Sequence, residues 1–211
     1  MNLSPPEVQS RYRRGDLRIA LLGMSNIGKS YFAARLVRDF SFQSVEVDQL
    51  IQSKLGQGSM DDHANWLGQP YSEGYTVRET KAMQLEGDAT KEAMDFCQTA
   101  GNAVLDAPGS VIYVNDDILK QLKLSFWLIY IEANEDDIER LRKLYVTSPK
   151  PLIWKDSFNP SLGKSNKEAV LASYPNLLSQ RSKTYESLAD ITLPAQPLFS
   201  GEIDIKTALS L

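Results

Sequence analysis

Cysteine and histidine are nearly absent from this chain: Cys97 and His63 are the only examples in 211 residues. One cysteine excludes a disulfide framework within the chain, and one Cys with one His is too small a set for a Cys/His zinc site. A Ser-His-Asp or Cys-His catalytic arrangement would have to use His63, which stands in Asp61-Asp62-His63-Ala64 with no nucleophile beside it. An excess of basic residues is missing too. Lys and Arg number 23 against 27 Asp and Glu, a formal charge of −4. That argues against a duplex-DNA binder, which needs a broad basic face to displace counterions. The cluster Arg11, Arg13 and Arg14 reads either as a nucleic-acid contact or as part of a solvated tail. The longest apolar run, Phe126 to Ile131, is far too short to span a bilayer. Met1 to Pro6 lacks a basic segment followed by an apolar one, so no signal peptide is visible and a cytoplasmic location is expected.

What is present fits one α/β domain over residues 1–211, with 42% hydrophobic and 24% charged residues, enough to fill a core. Residues 1–16 read as a polar lead-in, broken by Pro5-Pro6. Leu17 to Leu22 is a buried strand closed by Gly23, and Lys29 to Phe40 carries Phe32, Leu36 and Val37 at helical spacing. A short strand, Ser44 to Val47, ends at Asp48. Residues 48–98 show no strand but a short helix near Leu50-Ile51, a turn at Gly56-Gln57-Gly58 and a long helix over Val77 to Phe96. Asn102 to Leu105 and Phe126 to Ile131 are further buried strands, with Asp116 to Leu122 helical between them. Asn134 to Tyr145 is a helix with the core stripe Ile138, Leu141 and Leu144. Residues 146–163 are aperiodic and long for a connector, which suggests a mobile loop. Lys167 to Leu188 returns to helix, interrupted near Pro175, before a last strand at Ala189 to Leu193 and a closing helix. Strands alternating with helices imply a parallel sheet covered on both faces.

Gly23-Met24-Ser25-Asn26-Ile27-Gly28-Lys29-Ser30 matches the phosphate-loop pattern G-x-x-x-x-G-K-S without a gap. A random chain of this length would show it about one time in a hundred, and here it also falls between a buried strand and a helix. The glycines let the backbone turn its N–H groups toward a phosphate at a helix N-terminus. Lys29 supplies a charge for the β- and γ-phosphates and Ser30 a hydroxyl for Mg²⁺. The loop, from Gly23 through Ser25, Asn26, Ile27, Gly28 and Lys29 to Ser30 and Tyr31, is therefore the expected nucleotide site. Asp106 ends a buried strand, where an acid either holds Mg²⁺ with Ser30 or caps the turn before Pro108. Asp48 is either a base that orients an acceptor hydroxyl or the N-cap of the helix that follows.

With these residues the chain resembles shikimate kinases. Glu46-Val47-Asp48 is similar to that family's Asp-x-Asp, and Gly74-Tyr75-Thr76-Val77-Arg78-Glu79 to its Phe-Arg-x-x-Glu segment, whose Arg grips the substrate carboxylate. Pro149-Lys150-Pro151-Leu152-Ile153 resembles the lid motif, and Arg181 to Asp190 the closing Arg-x-x-x-Tyr-x-x-x-Ala-Asp stretch. The resemblance implies a five-stranded parallel sheet in order 2-3-1-4-5, a helical acceptor-binding insert over residues 48–98 and a lid over 146–163. It also implies ATP and Mg²⁺ as cofactors, Lys150 and Arg181 as phosphate contacts, and Asp48, Arg78 and Gly109 at the acceptor. Lys29 and Asp48 would carry catalysis, transferring the γ-phosphate to a hydroxyl of a small, anionic, shikimate-like metabolite in a monomer or homodimer. Three positions depart from the family: Glu46 replaces the first acid, Lys150 the lid Arg, and Asp106-Ala107-Pro108-Gly109-Ser110 the Gly-Gly-Gly turn. Lys lacks the planar fork of Arg, and Pro108 lacks an N–H. The alternatives are a gluconate or nucleotide kinase on the same fold, or a nucleotide-binding regulatory protein without transfer activity.

Overall fold

A computed structural model describes residues 1–56, 59–148 and 150–211. The expected turn at Gly56-Gln57-Gly58 and the lid motif at Pro149-Lys150 therefore lie partly outside the described residues. Five strands form one parallel sheet in the order β2-β3-β1-β4-β5. They are β1 (Arg18–Leu22), β2 (Gln43–Glu46), β3 (Ala103–Asp106), β4 (Trp127–Glu132) and β5 (Ile191–Pro194). Their hydrophobic runs lie under helices on both faces: Ile19, Ala20, Leu21, Val104, Leu105, Ile129 and Ile131 are all buried. Leu21 lies opposite both Asp106 and Ile129, and Glu46 opposite Asp106. The carboxyl ends of β1, β2 and β3 thus finish together, beside the point where the strand order reverses. In open α/β sheets that crevice is where ligands bind.

The helices follow from their caps and stripes. Helix α2 (Lys29–Phe40) begins directly after Gly28 and buries Phe32, Ala33 and Leu36. Helices α3 (Val47–Leu55) and α4 (Met60–Leu67) precede α5 (Tyr75–Thr99), whose buried face runs through Glu79, Ala82, Glu86, Ala89, Ala93 and Cys97. Then come α6 (Asp116–Ser125), capped by Asn115, and α7 (Glu135–Thr147), capped by Asn134. Helix α8 (Asn166–Leu188) is followed by α9 (Ala195–Ser200) and α10 (Ile205–Leu209). Among the described residues no helix is long and apolar enough to cross a membrane.

Four local expectations are corrected. Residues 5–14 are a helix, α1 (Pro5–Arg14), because prolines are tolerated in a first turn, where their missing N–H groups have no intrahelical partner. The Ser4 amide donates to Glu7 at 2.8 Å, Val8 is buried, and Tyr12 stacks on Phe42 at 5.9 Å, so this segment is docked. The second strand ends at Glu46, and Val47 and Asp48 already open α3. Helix α8 runs through Pro175 without interruption. Pro175 is exposed, while Ser173, Tyr174, Leu177 and Leu178 are buried on either side of it and hold both halves in one line. Finally Trp154, expected on a mobile segment, has 0% exposure. It packs edge-on against Tyr145 and Phe158, with ring centres 6.1 and 6.2 Å away. Its amide donates to the Glu79 carboxylate at 2.8 Å, as does that of Lys155 at 2.9 Å, and the Tyr75 hydroxyl donates to the Leu152 carbonyl at 2.8 Å. Residues 152–155 are therefore pinned to α5.

Candidate active site

The phosphate loop turns as its residue types require. Asn26 takes φ 63° and Gly28 φ 111°, the left-handed region open to Asn and Gly. A Cβ at Gly28 would also stand 2.4 Å from the Phe199 ring, so the loop closes against α9 only because residue 28 has no side chain. Lys29 is buried, and its ammonium donates to the carbonyls of Gly23 at 3.2 Å and Met24 at 3.1 Å. Ser30 Oγ donates to Asp106 Oδ2 at 2.5 Å, which joins the start of α2 to the end of β3.

Three cavities adjoin at this end of the sheet. The middle one, about 210 Å³, is lined by Ser25, Asn26, Gly28, Lys29, Ser30 and Tyr31 together with Glu46, Asp48, Asp106 and Lys150. A larger one, about 520 Å³, shares Asn26, Gly28 and Tyr31 with it and adds Arg140, Gln196 and Phe199. The third shares Ser25 and Asp48 with the middle cavity and continues to His63, Glu86, Gly109 and Arg181. Its free space is about 20 Å³, room for roughly one water. Ile27 is buried and lines only the 520 Å³ cavity.

The electrostatics of the third cavity come from burial. Asp48 at the head of α3 has its carboxyl raised to about 6 by desolvation, with Lys29 pulling it down and Asp106 pushing it up. Glu86 is buried in α5 and is raised to about 8, again by desolvation. The Ser110 hydrogen bond opposes that rise, Asp48 adds to it, and Arg181 and Lys29 oppose it. Ser110 Oγ donates to Glu86 Oε2 at 2.6 Å. Burial alone pushes the His63 imidazole down. Arg181, 2% exposed, donates from Nη1 to the Gly109 carbonyl at 3.1 Å and from Nη2 to the Ile153 carbonyl at 2.7 Å. Its guanidinium lies over the Tyr113 ring at 5.3 Å. The Tyr185 hydroxyl donates to the same Gly109 carbonyl. Gly109 is closely approached: a Cβ there would meet Ser25 N and Oγ at 3.1 Å and Arg181 Nη1 at 3.2 Å, so these neighbours would have to give by a few tenths of an ångström.

Most of the expected residues converge, and two do not stand where they were expected. Gly23, Ser25, Asn26, Gly28, Lys29, Ser30, Tyr31, Asp48, Asp106 and Lys150 meet around the loop. Arg181 stands at the third cavity and not in the middle one, because its two terminal nitrogens are held by backbone carbonyls on that side. Its burial also excludes an exposed surface ion pair with Glu186. Arg78 does not line the third cavity. Its Nε donates to the Leu67 carbonyl at 2.9 Å, closing the end of α4, and its guanidinium packs against Gly68 and Gly74. The acid after it, Glu79, anchors residues 154–155 instead. Sequence reasoning missed Glu86, Ser110, His63, Arg140 and Phe199. Only Glu86 left a trace: it lies seven residues after Glu79, two turns on, along the small-residue stripe of Ala82, Ala89 and Ala93.

A parallel sheet in this order, with a glycine-rich loop between its central strand and a helix, is the architecture of P-loop kinases. Within that class the chain is similar to shikimate kinases, as a divergent relative. It is 27% identical over 186 residues to a shikimate kinase of Stenotrophomonas maltophilia strain K279a, spanning 87% of this chain and 86% of that protein. It is 25% identical over 195 residues to the shikimate kinase of strain R551-3, spanning 92% and 91%. Among solved structures, shikimate kinase from Bacteroides thetaiotaomicron superposes with TM-score 0.62 at 18% identity, covering 92% of this chain and 99% of that one. Shikimate kinase from Acinetobacter baumannii in complex with shikimate also gives 0.62, at 16% identity, covering 92% and 93%. No family model matches the chain.

Proposed function

We propose that this chain is an ATP-dependent phosphotransferase acting on a hydroxyl of a small molecule. The observation that carries this reading is the sharing of residues between adjoining cavities. Asn26, Gly28 and Tyr31 join the 520 and 210 Å³ cavities, and Ser25 and Asp48 join the 210 Å³ cavity to the third. A purine against Phe199 and Arg140, a triphosphate along the loop and an acceptor beyond Asp48 would then follow one another, bringing the acceptor hydroxyl to the γ-phosphate as phosphoryl transfer requires.

The roles follow from chemistry and position. Lys29 and the loop amides would face the negative charge of the transferring group in a site with little water, where fixed dipoles act strongly. Asp48, with a carboxyl near 6, suits a base that holds the acceptor hydroxyl and takes up its proton. Lys150 would contact phosphate across the mouth of the middle cavity. Among the described residues no group of three or more His, Cys, Asp or Glu forms a metal cage. The Ser30 hydroxyl beside the Asp106 carboxylate nonetheless fits Mg²⁺, a hard cation that takes oxygen ligands and keeps several waters. When bound, Mg²⁺ would supply charge neutralisation to the phosphate oxygens. With about 20 Å³ free, an acceptor would enter the third cavity only if the Met60 end of α4 or Pro151 moved outward. Shikimate itself as acceptor loses its main support, since Arg78 is engaged elsewhere.

Asp48→Asn tests this reading. It should keep the rise in melting temperature that Mg²⁺-ATP gives by binding the folded state, while cutting phosphoryl transfer ~10²-fold or more. Transfer at the wild-type rate in this variant would overturn it.

A further inference from the structure

Three buried side chains around the third cavity each keep a polar atom without a partner among the described residues: Glu86 Oε1, His63 Nε2 and Arg181 Nε. Buried polar atoms in native proteins are nearly always paired, so three orphans on residues that line one space point to a polar ligand. Building on the kinase reading above, we propose that this cavity takes a non-anionic acceptor, a polyol or amino alcohol, whose hydroxyl or amino group hydrogen-bonds to Glu86.

The charges and the hydrogen-bond valences favour this class. A carboxylate-bearing acceptor needs a cation with its donors free, and Arg181 is the only cationic side chain lining the cavity among the described residues. Both of its terminal nitrogens already donate, to Gly109 and Ile153, and its face is taken by Tyr113. Each terminal nitrogen has thus given one of its two N–H groups to the backbone, so the end-on fork by which Arg recognises carboxylates is already partly committed. Opposite it stand two carboxyl groups, Asp48 and Glu86. Glu86 uses one oxygen on Ser110 and keeps the other free. An anion placed between them would meet like charge or force both to stay protonated, whereas a hydroxyl or ammonium would complete the Glu86 valence. Ser110 fixes the carboxyl plane, so Glu86 is a specificity-determining group. Arg78 offers no relief, because it caps α4 through the Leu67 carbonyl.

Calorimetric titration of glucosamine, myo-inositol and shikimate, three hydroxylated six-membered rings carrying an ammonium, no charge and a carboxylate, tests the proposal on the full chain with Mg²⁺-ADP. Glucosamine or myo-inositol should bind at least tenfold more tightly than shikimate, and Glu86→Gln should reduce that preference to threefold or less, with the ammonium ligand losing most. Shikimate binding tightest, no binding of any of the three, or a preference unchanged in Glu86→Gln would each overturn it. If that variant folds poorly, the wild-type ranking alone decides. Transfer of labelled phosphate from ATP, followed separately, reports on the kinase reading. Selective binding without transfer would remove the activity and leave the selectivity of the cavity standing.

Discussion

The phosphate end and the acceptor end of this site are built differently. The phosphate end is built on one continuous stretch, Gly23 to Tyr31, which Ser30 ties to a distant carboxylate, Asp106. The acceptor end gathers Asp48 from α3, His63 from α4, Glu86 from α5, Gly109 and Ser110 after β3, and Arg181 from α8. The first is a local backbone shape with obligatory residue types, so it can vary little. The second is an assembly of side chains across 134 residues of chain, from 48 to 181 counting both ends, and each can be exchanged while the fold stays. Fold similarity to shikimate kinases therefore carries information about the phosphate end and much less about the acceptor.

The largest expected effect lies at the phosphate end. Lys29→Ala should lower phosphoryl transfer by ~10²-fold or more, since a charge facing developing phosphate charge is worth several kcal/mol. ATP-dependent phosphorylation by the variant at near wild-type rate would break the comparison at its firmer half.

Next come the two arginines, Arg78 expected at the acceptor and Arg181 at phosphate, which are set apart by their contacts. Arg181→Leu would strip the buried Ile153 carbonyl of the Arg181 donor, at about 1–3 kcal/mol, and leave the Gly109 carbonyl with the Tyr185 hydroxyl alone, at about 1 kcal/mol more. At roughly 2–4 °C per kcal/mol, differential scanning calorimetry should find the melting temperature lowered by on the order of 10 °C. Arg78→Ala loses one hydrogen bond from a half-buried side chain, about 1 kcal/mol, and should leave the acceptor KM unchanged. A rise in that KM on Arg78→Ala would return this residue to the acceptor end.

The same contrast shows how much the sequence carried. The P-loop, the five strands and helices α2, α5, α6 and α7 could be read from runs and periods, because those signals are local, whereas the strand order came from the resemblance to shikimate kinases. Arg78 could not be placed, since whether its side chain turns into the cavity or back onto the Leu67 carbonyl depends on the turn between Gly68 and Gly74. Glu86 could not be singled out, since one acid in a long helix becomes a buried group only when α3, α8 and the turn after β3 close over it. Pro5-Pro6 misled for a plain reason: the same residues that break a helix interior begin one.

A smaller effect is the pH dependence of stability. Glu86 is held at about 8, raised by desolvation, against about 4.5 in the unfolded chain. Between those values the folded state keeps a proton that the unfolded state has lost, so stability falls as pH rises through that window. The group faces Asp48, Ser110, Arg181 and Lys29; the last three favour its charged form, and desolvation together with Asp48 outweighs them. Wild type should therefore melt lower at pH 8 than at pH 5, and Glu86→Gln should flatten the slope by up to about 1.4 kcal/mol per pH unit. Equal slopes for the two proteins would place Glu86 in contact with solvent.

The smallest expected effect is a null one. In a variant keeping Trp154 alone, with Trp66→Phe and Trp127→Phe, emission should be blue-shifted and should not respond to an ATP analogue with Mg²⁺, because Trp154 is packed against Tyr145 and Phe158 and tied to Glu79. A nucleotide-dependent shift would show that residues 152–155 leave α5 during the cycle.

The account rests most directly on three adjoining cavities forming one line of transfer, and a crystal structure with a non-hydrolysable ATP analogue and Mg²⁺ tests it at once. The purine should lie against Phe199 and Arg140, the β- and γ-phosphates within reach of Lys29, and the terminal phosphate at the Asp48 end, facing Glu86 and Arg181. An analogue bound the other way round, or with its terminal phosphate turned away from Asp48, would contradict it.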